Sequence, residues 1–370
     1  MISNIVIANF KAFESADIRL APFTLLSGLN SSGKSTVLQA LALLRQGRNY
    51  TNEPGGLPLN GELVELGTGQ DALHEDYKVE PGTAAEIGFR LTAESGAEYE
   101  CRARYDKDDD FLRLTYLSDS GAGTQDITLF NPGFQYLRAD RISPATTYPR
   151  SEEMSARRRF LGTRGEYAID FLRHYQDEPV SFSALHHGEA SPRLLSQAEA
   201  WMSEICPGVR IQTEAIEQTD LVRLAFQFAQ ARQLTSNPRR PTNVGFGLTY
   251  VLPIIIACLT ARPGSMILLE NPEAHVHPQG QSAMARLCCA AAAIGAQLVV
   301  ETHSDHVLNG VRLAVKHGVL KPQDVALQYF RREEDGIHIV SPAMGQDGMI
   351  SQWPSGFFDE WDRSLDQLLD

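Results

Sequence analysis

No CxxC pair occurs among the five cysteines (Cys101, Cys206, Cys258, Cys288 and Cys289), and their number is odd. A disulfide framework and a cysteine-held metal are therefore not expected; buried, reduced thiols in a cytosolic protein are. A long apolar run is also missing. The longest, LTYVLPIIIACLTA, carries Pro253 and falls short of the ~20 residues that a bilayer span needs. Positive charge is not in excess: 33 Lys and Arg stand against 46 Asp and Glu, a formal net charge of −13. That balance argues against a general grip on nucleic acid or an anionic membrane, while leaving room for a local basic patch. The opening MISNIVIANF has no basic leader and no small-residue cleavage site, so a cytoplasmic protein without a membrane partner is expected.

What is present suits a globular chain. Apolar residues make up 43% and charged residues 21% of 370 positions, enough for a large core or for one core with sizeable insertions. Residues 2–10 and 23–28 read as strands, and Val37, Leu38, Leu41 and Leu44 recur at helical spacing, so a strand–loop–helix unit opens the chain. Residues 49–60, with two prolines and two glycines, read as a connector. Ile87, Phe89 and Leu91, then Leu112, Leu114 and Tyr116, alternate between turn-rich stretches and predict an antiparallel meander, with 133–138 as a further strand.

Residues 150–206 turn helical. Ser191–Pro192 reads as an N-cap and first turn before a stripe of Leu194, Leu195, Ala198, Trp201, Met202 and Ile205. Val222, Leu224, Phe226 and Phe228 suggest a hairpin. From about 244 the pattern is helix, strand (265–270), helix, strand (297–301), helix, which predicts α/β with a mostly parallel sheet. The expected organisation is a split α/β core, 1–60 with 240–345. An antiparallel β lobe at 61–149, a mixed helical/β insertion at 150–239 and a helical tail at 346–370 complete it.

GLNSSGKS, Gly28 to Ser35, fits G-x-x-x-x-G-K-[ST] between a strand and a helix. Backbone N–H groups of such a loop wrap phosphates, and the helix N-terminus adds partial positive charge. Lys34 is expected at the β- and γ-phosphates and the Ser35 hydroxyl on Mg²⁺. Glu270 ends the apolar strand MILLE and is a second candidate for Mg²⁺, directly or through water. ETHSDH (301–306) again sets polar groups after an apolar strand, where open parallel sheets place ligands; His303 is the candidate for the γ-phosphate or the attacking water, or a structural histidine. The pairs His275/His277 and His303/His306 have no diagnostic metal spacing. Gly245 and Gly247 precede an apolar helix, and spacing alone leaves phosphate approach and tight packing equally open.

ANFKAF, GLNSSGKST, VGFGLTYVLP, ILLENPEAHVHP and ETHSDH, in that order, resemble the ABC-type ATPase heads of the SMC, RecF and OLD families. The likeness is to the short, stand-alone members common in prokaryotic antiphage and restriction-type operons. YLRADRISP and the tail WPSGFFDEWDRSLDQLL are similar to that subgroup too.

The resemblance implies a P-loop NTPase of ABC/SMC type using ATP and Mg²⁺. Gly28, Asn30, Gly33, Lys34, Ser35 and Thr36 would form the Walker A loop, Glu270 Walker B, and Gln70 the Q-loop glutamine at the metal. Gly245, Phe246, Gly247 and Thr249 would meet the γ-phosphate of a partner subunit, and His303 would be the switch histidine. Two positions depart from the pattern. Thr249–Tyr250 replaces a serine followed by a polar residue, and Asn271 stands where the catalytic glutamate is usual, so slow hydrolysis is expected.

The reading is an ATPase that dimerises around nucleotide, with higher oligomers allowed, and regulates an effector from an adjacent gene, a nuclease, in antiphage defence. The rivals are a RecF-like repair ATPase acting directly on DNA and a non-hydrolysing ATP-dependent scaffold. Basic clusters at Arg150, Arg157, Arg158, Arg159 and Arg164 and at Arg232, Arg239 and Arg240 could contact DNA or an acidic partner, but a solvated face is the plainer expectation.

Overall fold

The computed structural model describes residues 1–50, 55–77, 85–119, 126–229, 236–334, 336–359, 365 and 367–369. The first half of the described chain carries β1 (Ile2–Phe10), β2 (Phe13–Arg19), β3 (Phe23–Gly28), α1 (Lys34–Gly47), β4 (Gly56–Pro58), α2 (Gly69–Ala72), β5 (Glu86–Ala93), β6 (Glu98–Arg104), β7 (Phe111–Asp119), β8 (Gln135–Leu137) and β9 (Tyr148–Pro149). The second half carries α3 (Ala168–Tyr175), α4 (Leu194–Met202), β10 (Val209–Ala215), β11 (Leu221–Phe228), α5 (Phe246–Leu259), β12 (Met266–Glu270), α6 (Pro278–Ala293), β13 (Gln297–Glu301), α7 (Asp305–Lys316), β14 (Val325–Glu333) and β15 (Gly336–Val340). The chain divides into two compact units: Met1–Pro132 with Gln323–Gly345 and Ile350–Asp370, and Gly133–Pro322 with Gln346–Met349.

In the first unit, β2, β1, β5, β6, β7 and β4 lie side by side, each pair antiparallel. Alternation drives this sheet: Ile5, Ile7, Ile87, Phe89 and Leu91 are fully or almost fully buried. The pattern breaks in β7. Leu112 is buried, but Tyr116 is 45% exposed, because β4 covers only Phe111–Arg113 and the register slips between Arg102 and Ala103 of β6. Tyr116 instead lies beneath the Arg102 guanidinium, 5.4 Å from its ring centre. The unit's second layer pairs β3 parallel to β14, with β15 antiparallel at the edge. β3 is buried along nearly its whole length, as strands covered on both faces are.

In the second unit, β12 pairs in parallel with β13 on one side and β8 on the other. Residues 135–137, expected beside the antiparallel lobe, thus extend a parallel sheet. Their side chains are all buried, so they suit a strand covered on both faces. α5 is buried on every side from Val251 to Leu259, and each large apolar side chain there contributes about 1.5–3 kcal/mol. α6 crosses α7 closely at Gly310, where an added Cβ would lie 2.6 Å from that of Ala285. β10, β11 and β9 form a small antiparallel sheet.

Two local expectations need correction. Arg193, not Ser191, is the N-cap of α4. Val180 N–H donates to the Pro192 carbonyl and Leu194 N–H to that of Glu178, so the chain is still extended through residue 192. In the tail, Phe357 sits in a turn rather than on a helix, buried against Tyr329 and Trp353 with ring centres 5.3 Å from each. Trp361, also of the tail expected to be helical, lies outside the described residues, as does Arg232.

Candidate functional site

In the first unit, β3 delivers the chain into a loop whose backbone only small residues adopt easily. Gly28, Ser31 and Gly33 all have positive φ, at 140°, 60° and 94°. At Gly28 an added Cβ would meet the Phe330 carbonyl oxygen at 2.3 Å, and at Gly33 it would meet the Phe13 ring at 2.7 Å. Glycine is required at both places. α1 starts immediately afterwards with no side-chain cap and no acid in its first turn, so its N-terminal partial charge is not neutralised locally. Lys34 is buried, and its Nζ donates to the carbonyls of Gly28 (3.0 Å) and Leu29 (2.7 Å), bracing the loop with a full positive charge inside it. Asn30 is exposed, while Ser35 and Thr36 lie on the first turn of α1.

The β1–β2 turn packs beneath this loop through Phe13 and Ala12. Lys11 N–H donates to the Ala72 carbonyl at 2.8 Å, which places α2, and with it exposed Gln70, beside that turn. Thr68 and Asp71 cap α2 reciprocally. Burial lowers the Lys11 pKa, and Asp71 opposes the shift. A polar groove of about 460 Å³ opens here, walled by Lys11, Ser31, His74 and Arg332 and also by acids, among them Glu14, Glu75 and Glu333. The donors, the positive φ glycines and the buried ammonium fit a nucleotide triphosphate.

In the second unit, β12 ends at Glu270, and its carboxylate is fully oriented. Tyr136 Oη donates to Oε1 at 2.5 Å, and Ala139 N–H donates to Oε2 at 2.9 Å. Burial first, and then the Glu270 charge, push the Tyr136 phenol well above its ordinary pKa, so it stays a donor. Glu270 keeps lone pairs for a hydrated Mg²⁺. Arg141 is 2% exposed and donates to the carbonyls of Arg138 (2.9 Å), Glu270 (2.7 Å) and Asn271 (2.7 Å). Burial lowers its pKa to about 10, which leaves it charged at neutral pH. Tyr136, Ala139 and Arg141 thus form a strap around the strand end. Sequence reasoning noted YLRADRISP but gave it no place at the site; its signal was a buried-strand tripeptide running directly into charged residues.

Asn271 takes φ 42°, donates its N–H to the Glu301 carbonyl at 2.8 Å, and accepts from Ala274 N–H at 3.1 Å. Its Oδ1 is buried and has no hydrogen-bond partner among the described residues. Sequence alone, with Pro272 following Asn271, suggests a chain turned away before Glu273; the tight turn instead carries Glu273 back to the end of β13. There Oε2 accepts from Thr302 Oγ1 at 2.7 Å and Oε1 from His303 N–H at 2.8 Å. His303 is exposed, and Ser304 caps α7 by accepting from Val307 N–H at 3.1 Å.

At the start of α5, Gly245 is exposed with nothing within 4 Å of an added Cβ, whereas a Cβ on Gly247 would meet the His275 carbonyl oxygen at 2.5 Å. Gly247 therefore serves tight packing, and Gly245 leaves room for an approaching group. Phe246, 51% exposed, and Tyr250 stand against the His275 ring at centroid distances of 5.5 and 4.9 Å. Thr249 is buried. The structure thus gathers Gly28, Asn30, Gly33, Lys34, Ser35, Thr36 and Gln70 in one unit, and Gly245, Gly247, Thr249, Glu270, Asn271 and His303 in the other.

In the first basic cluster, Arg157 pairs with Glu153, Arg159 with Glu178, and Arg164 with Asp140. No group of three or more His, Cys, Asp or Glu that could hold a metal occurs among the described residues, and none of the described helices is long and apolar enough to cross a membrane.

A phosphate loop between a buried strand and a helix, with parallel strands that end at Glu270 and Glu301, is that of an ABC/SMC/RecF-like ATPase head. The chain belongs to the family described as "AAA domain, putative AbiEii toxin, Type IV TA system", whose model matches residues 23–309. A second model, for a protein of unknown function (DUF3696), matches residues 320–368. The chain is 39% identical over 66 residues to the DNA replication and repair protein RecF of Vibrio cholerae, 18% of each chain. It is 29% identical over 140 residues to RecF of Klebsiella pneumoniae, 37% of each. It thus spans well under half the length of these curated relatives. Among solved structures, an SMC head bound to the C-terminal winged-helix domain of ScpA matches 92% of this chain and 98% of its own, with TM-score 0.54 and 13% identity. The SMC head from Pyrococcus furiosus with the ScpA C-terminal domain matches 100% and 99%, with TM-score 0.52 and 13% identity.

Proposed function

We propose that this ATPase closes as a homodimer on two ATP molecules and that its ATP-bound lifetime regulates an effector protein, a nuclease, in antiphage defence. The observation that carries the dimer is the start of α5, an uncapped, exposed helix N-terminus at Gly245–Phe246 on a unit separate from the phosphate loop. In this reading the Gly28–Ser35 loop and Lys34 bind the phosphates. Ser35 and Glu270, with Gln70, hold Mg²⁺, and Gly245, Gly247 and Thr249 of the second copy complete the γ-phosphate site. The split core 1–60 with 240–345, the β lobe 61–149, the insertion 150–239 and the tail 346–370 are the working divisions. When bound, Mg²⁺ supplies positive charge to the phosphates being separated. Asn271 lacks a proton acceptor but orients water through its amide, with His303 beside it, and hydrolysis is slow.

The effector is supported by the family description, which names a type IV toxin–antitoxin system, and by SMC heads of this fold that are bound to a partner protein. Direct action on DNA is the second reading, favoured by the RecF likeness. Turnover measured with and without linear duplex and gapped DNA separates them. Turnover unmoved by DNA, but altered when the product of the adjacent gene is added, fits regulation; stimulation by DNA alone overturns it.

A further inference from the structure

We infer that Glu273 is a positioning residue that holds His303, and is not the group that takes a proton from the attacking water. This rests on the reading that the ends of β12 and β13 serve hydrolysis. Apart from Glu270, which ends β12, Glu273 is the acid nearest in sequence to Asn271, and so the obvious replacement for a missing base. A general base needs an oxygen directed at the water it deprotonates. Each Glu273 oxygen instead accepts a bond that ties it to the 302–304 segment: Oε1 from the backbone N–H of His303 at 2.8 Å, and Oε2 from Thr302 Oγ1 at 2.7 Å, so the carboxylate is held as a brace on that segment.

These two bonds belong to a closed ring. Thr302, with 0% exposure, also accepts from Ser304 N–H at 3.0 Å through the same hydroxyl oxygen. Ser304 Oγ donates to Gln281 Oε1 at 2.5 Å, and Gln281 Nε2 returns to the Val276 carbonyl at 2.7 Å, three residues beyond Glu273. The ring fixes residues 302–304 against the turn 271–276 from both ends. His303 projects outward from the middle of the fixed segment, its side chain exposed while its neighbours Thr302 and Ser304 are buried. A histidine presented in that way has its backbone position set by the Glu273 carboxylate, and small displacements at a reacting centre are costly in rate.

Single-turnover hydrolysis of ATP·Mg²⁺ by the full chain tests this, using wild type, Glu273→Gln, Glu273→Ala, His303→Ala and the double Ala variant. Each is first checked for ATP binding and a native melting transition. Glu273→Ala and His303→Ala should each slow the step about ten- to a hundredfold, and the double variant should be no slower than His303→Ala. Glu273→Gln should recover to within about threefold of wild type, because its amide oxygen accepts from His303 N–H while its NH₂ donates to the Thr302 hydroxyl oxygen. Three outcomes overturn the inference: Glu273→Gln as slow as Glu273→Ala with loss of the acid limb of the pH–rate profile, single effects that multiply in the double variant, or Glu273→Ala at the wild-type rate.

Amide hydrogen exchange at residues 302–304 in the nucleotide-free protein reads positioning without turnover. It should accelerate in Glu273→Ala and stay slow in Glu273→Gln. A wild type that binds ATP but never cleaves it overturns the hydrolytic reading of the strand ends, and exchange then decides the inference by itself. Unchanged exchange in Glu273→Ala overturns it.

Discussion

Asn271 and Glu273 stand two positions apart and receive different tasks from one tight turn. The first stays at the strand end with its Oδ1 buried, and the second is carried across to β13. Asn271→Ala should therefore slow single-turnover hydrolysis below an already slow wild type; a normal rate would remove the amide from the mechanism. Lys34 is the other decisive residue. Lys34→Ala takes away the one full charge within the loop, a contact that neutral donors cannot replace, and should abolish ATP binding while leaving the melting transition cooperative. Calorimetric titration checks this, and unchanged affinity in a folded variant would refute it. Arg141 is structural as well as local. Arg141→Met leaves three buried carbonyls without their charged donor and should cost about 3 kcal/mol or more in urea unfolding.

At the scale of elements, the closest approaches predict the sharpest effects. Gly247 faces the His275 carbonyl with no room for a Cβ, so Gly247→Asp disturbs the start of α5 and also adds a charge that repels phosphate. It should prevent ATP-dependent association while sparing nucleotide binding to the monomer, read by fluorescence titration beside sedimentation. A pH effect belongs to the segment just after α4, where it meets α6. The Glu204 carboxyl is held below its ordinary range by the hydrogen bond from His187, with Arg286 adding to it. A depressed acid contributes stability above its unfolded pKa and loses it as pH falls through its folded pKa. Acid titration of the urea midpoint should thus lose part of its slope in Glu204→Gln.

For the whole molecule, association is the measurable property. Wild type should sediment as a heavier species with ATP·Mg²⁺ than without nucleotide, and identical mass in both would count against the proposed dimer. ATP·Mg²⁺ should also raise the melting temperature, since a ligand held only by the folded chain stabilises it by mass action. Lys34→Ala should show neither response.

The sequence by itself determined the phosphate loop, because strand, glycines, lysine and helix follow one another without interruption between Phe23 and Gly47, while the packing of Phe330 and Phe13 against the two glycines came from the fold. It also determined the order of helices and strands from 244 to 316, where apolar periodicity is strong and the breaks are clean. The tertiary structure alone decided what meets Glu270 and Glu273. Tyr136 and Arg141 lie about 130 positions before β12, and Thr302 lies 29 after Glu273. No periodicity connects such residues; parallel pairing of β8 with β12, and of β12 with β13, brings their ends into hydrogen-bonding range. Pro272 shows the same limit at short range. It signalled a change of direction in the chain, but the packing of β13 beside β12 decided that the turned chain would come back to His303.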